Sequence, residues 1–370
     1  MQTELSGHLS NEERAILHDV GFDSETSRAG TSVLIDHGLR LIHTTDPNVE
    51  ILPLAEALRT YDFVQDLMFG LVEPDANHDV ALVAEHMRDP LGHFVWVKPG
   101  AKVELPVQTF TLMETPQARQ FTHDITLIDE GAEVEMISGS AVPGSVHKGR
   151  HVSINETYLR RNAHCKSVSI EQWGAAMQTY SYGYSDLGEG AHDASTSVMM
   201  SPVALSESHS RTTLGADADV SNQAIIFAAE GTTRVLKTQI ELNGAGARCE
   251  DIARMVSSGG TIVNDALLTG NASETNGFLG CDGLKLTDQG EIRAVPALVA
   301  HAEGSMLSHE ASVGMIDNDK LNYLMASGPE EDTARSLIVQ GFLALEDKHI
   351  PSSLRQSVTE MIAKAKSGGM

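Results

Sequence analysis

The chain has 370 residues, with 51 Asp or Glu against 26 Lys or Arg, a formal net charge of −25, and 41% hydrophobic residues. That length suits two or three domains, or one elongated domain with a sizeable core. The negative balance disfavours a phosphate backbone or an anionic membrane surface as partner. Three widely spaced cysteines without a Cys-x-x-Cys pair, Cys165, Cys249 and Cys281, argue against a disulfide framework and a self-contained zinc site. The opening residues lack the basic and apolar regions of a signal peptide, and no stretch approaches the length of a membrane span, so a cytoplasmic protein is expected.

Residues 1–75 are predicted to be an N-terminal helical region. Ser10 or Asn11 can cap a first helix, with Glu12 and Glu13 complementing its dipole. A second helical stretch is expected from Val49 to Val72, where Leu54, Leu58 and Tyr61 recur at helical spacing, although Pro53 and Gly70 blur its limits.

Residues 76–316 read as a β-core. From Gly92 onward, short β-rich runs such as His93-Phe94-Val95-Trp96-Val97 are separated by turn residues such as Pro99-Gly100 and Glu130-Gly131. Gly100-Ala101, Gly131-Ala132 and Asn162-Ala163 each open a new run, and their alanines lie 31 residues apart. A small residue recurring ahead of alternating polar and apolar residues is what the stacked coils of a β-solenoid require. An antiparallel sandwich with evenly spaced turns leaves the same signature. Later turns are expected at Gly190-Ala191, Gly215-Ala216, Glu230-Gly231, Gly244-Ala245 and Gly259-Gly260.

Residues 317–370 return to a helical pattern. Asp317 or Asn318 caps a short helix, and Pro329-Glu330-Glu331 opens another with Ala334, Leu337, Ile338, Gly341, Phe342 and Leu345 on one face. Pro351-Ser352-Ser353 opens a third, carrying Leu354, Val358, Met361, Ile362 and Ala365. These helices can cap an open end of the β-core, present a docking face, or do both.

The chain has no Gly-x-x-x-x-Gly-Lys-Ser/Thr phosphate loop, Gly-x-Ser-x-Gly elbow or His-Glu-x-x-His helix, so it is not itself a P-loop ATPase. One region holds Cys281, His309 and Glu310 within 30 residues. Thiolate, imidazole and carboxylate are all iron ligands, and thiolate is the usual ligand of an iron–sulfur cluster.

Around these residues the sequence resembles the SufB/SufD scaffold proteins of iron–sulfur cluster assembly. The resemblance rests on Gly280-Cys281-Asp282-Gly283-Leu284, Ala294-Val295-Pro296-Ala297-Leu298, Leu307-Ser308-His309-Glu310-Ala311-Ser312-Val313-Gly314, Asn322-Tyr323-Leu324 and Leu337-Ile338-Val339-Gln340-Gly341-Phe342. A fainter match runs through His93–Val97, Glu104-Leu105-Pro106 and Gln172-Trp173. Within the family the chain looks most like the minimal archaeal SmsB type, a homodimer working with two SmsC ATPases.

The resemblance implies a right-handed parallel β-helix between helical N- and C-terminal regions, with protomers joined through their β-helices. It implies a non-catalytic scaffold that holds a transient iron–sulfur cluster and binds no nucleotide. ATP hydrolysis then belongs to a separate SufC- or SmsC-like ABC ATPase, docked on the C-terminal helices, where Leu337, Ile338 and Leu354 on the helix faces are either contacts or core residues. Cys281 sits where the SufB branch has its cluster-ligand cysteine, and Glu310 matches an interface glutamate, as an oxygen ligand or iron-entry group or else a carboxylate satisfied by backbone donors. His309 matches the histidine of a Ser-His motif and is a ligand, an orienting donor or a structural residue.

One departure matters. Where bacterial SufB proteins carry a sulfur-accepting cysteine in a Glu-Gly-Cys motif, this chain reads Ser138-Gly139-Ser140-Ala141, and a hydroxyl cannot carry a persulfide. Cys165 and Cys249 are either relay thiols or small buried hydrophobes. Two other readings are a SufD-like structural partner without a cluster, which Cys281 argues against, and a β-helix polysaccharide-active enzyme. With only two tryptophans the chain is poor in the aromatic platforms that the enzyme would need.

Overall fold

The computed structural model describes residues 5–343. Two sheets, of 11 and 9 strands, face each other across one interior, and the chain passes from one to the other at every half-turn. From Val107–Leu112 onward each strand but the last of each sheet pairs in parallel with the strand one coil before it and the strand one coil after, so His164–Gln172 lies between Glu133–Ala141 and His192–Met199. This is a β-solenoid of about eight turns. Parallel pairing to the adjacent coil excludes the sandwich.

The corner that opens each coil explains the repeat. Gly100, Gly131, Asn162, Gly190, Asp217, Gly246, Glu274 and Gly304 all have φ between 54° and 78°. Only glycine enters this left-handed region freely, with Asn and Asp tolerated. The next residue packs into the corner column, from Ala101, Ala132 and Ala163 to Ala191, Ala218 and Ala247, all buried. After Ala163 the spacing of these alanines shortens to between 27 and 29 residues, which hides the repeat from a fixed-period reading.

The N-terminal region differs from the helical expectation. The helix Asn11–His18 forms as predicted, with Ser10 Oγ accepting from the Glu13 N–H and the Glu13 carboxylate accepting from the Ser10 N–H. Gly30–Ile35 is instead a strand that begins the parallel ladder on Val107–Leu112, and Gly38–Thr44 folds back antiparallel on it. Val49–Pro53 is also a strand, antiparallel to His93–Val97, with Val49, Ile51 and Leu52 buried. Helix begins only past Pro53, at Leu54–Thr60 and Asp62–Leu67, because the proline cannot donate to a further ladder bond.

A short helix, His78–Ala84, falls within the span expected to be β-core. It packs Val80 and Val83 over Val152, Ile154 and Tyr182 on the outer face of the 9-stranded sheet. The turn before it is tied down by Glu156, whose carboxylate accepts from the Phe69 and Leu71 N–H groups at 2.7 Å each and pairs with His123 at 2.7 Å.

The C-terminal helices Asn318–Ala326 and Glu331–Phe342 do not cap the open end. Val339 and Leu343 join an apolar cluster with Val256 and Leu284 on the outer face of the 11-stranded sheet. Among the described residues the last strands, Glu291–Ala300 and Met306–Met315, are therefore left as bare edges of their sheets. The helix expected from Pro351, with Leu354, lies outside the described residues.

Glu274 is the one corner residue that is neither Gly, Asn nor Asp. Glu274→Gly should therefore stabilise the chain by about 1 kcal/mol, and Gly304→Ala should destabilise it by a similar amount. Urea denaturation of both variants checks the pair, since a left-handed corner requires shifts of opposite sign.

Candidate functional site

Cys281 lies on the strand Asn276–Lys285, the last but one of its sheet, and is 2% exposed. Strand register decides its surroundings. It stacks on Ala253 of the preceding coil and Ala311 of the following one, and it shares an interior apolar cluster with Ile226, Met255, Ile262 and Ile292. Asn264, from the opposite sheet, donates Nδ2–H to its Sγ at 3.4 Å. Burial pushes the thiol up to about 11, the Asp251 carboxylate adds to this, and the Asn264 bond opposes it. At rest the thiol is protonated.

His309 and Glu310 are both exposed on the edge strand Met306–Met315. His309 pairs with Leu279 and Glu310 with Gly280. Alternate residues of a strand point to opposite faces, and paired residues of neighbouring strands share a face. His309 is thus on the Cys281 face, one step along the strand from Ala311, whereas Glu310 is on the outer face with Asp282. A single chain brings Cys281 and His309 to one face of the solenoid end and leaves Glu310 on the other. Among the described residues no three His, Cys, Asp or Glu side chains converge closely enough to hold a metal ion.

Of the candidate docking residues, Leu337 is 46% exposed, while Ile338 packs partly buried against the outer-face cluster. Among the described residues no helix is long and apolar enough to cross a membrane.

Sequence reading missed the polar interior. A cavity of about 490 Å³ runs between the sheets from the level of Val95 and Thr109 to that of Leu236 and Asp251. Register places Ser138, Ser169 and Ser197 in one column and Ser153, Ser181 and Ser208 in a facing one. Ser140 lines this cavity, as do Cys165 and Asp193. Nearer Cys281 the same columns turn apolar, with Ala224, Ala253, Ile226 and Met255, so the cavity ends one coil short of the thiol.

Cys165 and Cys249 are both buried, and burial, with nearby carboxylates, pushes their thiols well up. Burial also pushes Asp193 up to about 7 and Asp251 up to about 6, the latter opposed by a hydrogen bond with Asn222. Strand alternation counted inward from Cys249 would have found Asp251. The same count from the corner alanine Ala191 reaches Asp193, which takes the register of Cys165.

The family model for the SufBD core domain of SUF-system iron–sulfur cluster assembly matches residues 110–342. An iron–sulfur cluster assembly SufBD family protein from Archaeoglobus fulgidus is 30% identical over 366 residues, covering 98% of each chain. A SufBD family protein from Methanothermobacter thermautotrophicus is 29% identical over 93% of this chain and 85% of its own. One from Pyrococcus horikoshii is 27% identical over 86% of this chain and 72% of its own.

The interior acids make a pH-dependent prediction. Asp193 and Asp251 keep their protons to higher pH when folded than when unfolded, near 3.8, so the stability they confer is full below that pH and lost as pH rises through 6 to 7. Asp193→Asn should be more stable than the unaltered chain by about 1 kcal/mol or more at pH 8, and equal to it near pH 4. Urea midpoints across that range check the sign.

Proposed function

The chain belongs to the SufBD family of iron–sulfur cluster assembly proteins, and from that premise we propose that it is a scaffold on which a nascent cluster forms at the junction of two copies of the chain. The observation that carries this reading is the position of Cys281 one strand inside a bare sheet edge. One thiolate per chain cannot satisfy an iron–sulfur cluster, whose irons usually take four cysteine thiolates. Two chains meeting edge to edge would bring two sets of Cys281 and His309 to a two-fold axis, with the two Glu310 carboxylates on the outer side of the same junction.

The edge has the composition of a surface meant to be covered. Val295 and Val299 on one edge strand, and Met306, Val313 and Met315 on the other, are all exposed. Unpaired N–H and C=O groups along both strands offer a second copy a ready ladder. Cys281 is the soft anionic ligand in this reading, with Glu310 an oxygen ligand or entry group for iron and His309 a nitrogen donor on the Cys281 face.

The protonated, enclosed thiol explains why a separate ATPase would be needed. Iron displaces the thiol proton only when it reaches the sulfur, so the terminal coils must part from the apolar residues around Cys281 before loading. A SufC-like ABC ATPase docked on the C-terminal helices, with Leu337 as an exposed contact, would supply that opening through its own cycle. Nucleotide chemistry stays in the partner.

Anaerobic reconstitution with ferrous iron and sulfide, read by iron content and visible absorption, tests the scaffold. Unaltered chain should retain a cluster, Cys281→Ser should retain less than a tenth of it, and Glu310→Ala should lose part. A cluster retained in full by Cys281→Ser would leave the chain as a structural member of its family. For the junction, Val313→Glu should convert the dimer to a monomer in sedimentation equilibrium, since it sets like charges against each other across the axis. An unchanged mass would move the interface elsewhere.

A further inference from the structure

We propose that Asn264 is a positioning residue for the nascent cluster: its side-chain N–H holds the Cys281 sulfur from the opposite sheet and stabilises it as a metal-bound thiolate. The role rests on the reading of Cys281 as a cluster ligand, and it adds a residue that no sequence motif pointed to.

The two side chains meet across the interior. Asn264 lies on the strand Thr261–Gly270, last but one of the 9-stranded sheet, and Cys281 lies on the last but one of the 11-stranded sheet. Alternation turns Ile262, Asn264, Ala266 and Leu268 inward, and all four are buried. Register gives Asn264 the neighbours Leu236 in the coil before and Ala294 in the coil after. Leu236, Ile262 and Ala294 all pack in the apolar cluster that encloses Cys281. The amide is thus set into an otherwise aliphatic wall, with its Nδ2 at 3.4 Å from the sulfur.

An amide in that company is costly. Burying it loses free energy that an aliphatic side chain would not lose, unless its hydrogen bonds repay the loss. Its donor here is spent on a thiol, which is a weak acceptor. A sulfur that carries negative charge is a different acceptor. Hydrogen bonds to an ionised partner are shorter and roughly twice as strong as neutral ones, and a low-dielectric enclosure strengthens them further. The amide is therefore poorly compensated in the resting chain and well compensated once a metal has displaced the thiol proton.

The other two thiols supply the contrast. Cys165 and Cys249 are buried as well, yet among the described residues Cys281 alone receives a side-chain N–H. Burial by itself does not bring an amide to a cysteine in this solenoid. The bond also ties the ligand strand to the facing sheet, so the sulfur is held against one wall while His309 stands on the next coil outward.

Anaerobic reconstitution with ferrous iron and sulfide tests the role on Asn264→Leu and Asn264→Val, two side chains of different shape that lack the donor. Both should release iron to excess chelator at least tenfold faster than the unaltered chain. Both should also shift the cluster's reduction potential in the negative direction, because an N–H bond to sulfur favours the more negative, reduced cluster. The metal-free Asn264→Leu chain should match or exceed the unaltered chain in urea midpoint. Unchanged release and potential in both variants, beside a cluster that Cys281→Ser loses, would overturn the positioning role and leave the scaffold standing. Faster release with a lowered midpoint and an unmoved potential would make Asn264 a structural residue and overturn the role equally. A cluster kept in full by Cys281→Ser would remove the scaffold reading, and this role with it.

Discussion

Everything in this molecule depends on in-register parallel stacking. A residue in one coil has fixed neighbours in the coils before and after, so one column of the sequence becomes one line through the structure. The serine ladders, the alanine corner and the acid-to-apolar change along the interior are all columns of this kind. Cys281 is buried for the same reason: register seats it between Ala253 and Ala311, and no loop has to fold over it.

Much of the fold was legible because its corners are chemically constrained. Gly100-Ala101, Gly131-Ala132 and Asn162-Ala163 declare a left-handed residue followed by a small one. Beyond them Asp217 and Glu274 take the left-handed position, and the coils shorten, so the signal fades although the geometry does not. The strand Val49–Pro53 was hidden by helical spacing in the residues that follow it. Its own alternation of Val49 and Ile51 was too short to compete.

The candidate site was legible only in part. Cys281, His309 and Glu310 announced themselves by type and by family resemblance, but their faces could be assigned only from register. Glu310 falls on the outer face and His309 on the inner one. Asp193 was not legible by type, since the chain has 51 acidic residues, but only by its offset of two from the corner alanine Ala191.

The two ends of the solenoid are unlike. At the N-terminal end the ladder is interrupted by strands running the other way, Gly38–Thr44 and Val49–Pro53, followed by the two-residue strand Leu5–Ser6. At the C-terminal end, among the described residues, the ladders end on parallel strands. A rod whose ends matched would polymerise head to tail, as cross-β fibres do. In the proposed edge-to-edge dimer the bare end of one copy meets the identical end of another. Such association would close on itself after two molecules and leave fibre growth without a second step.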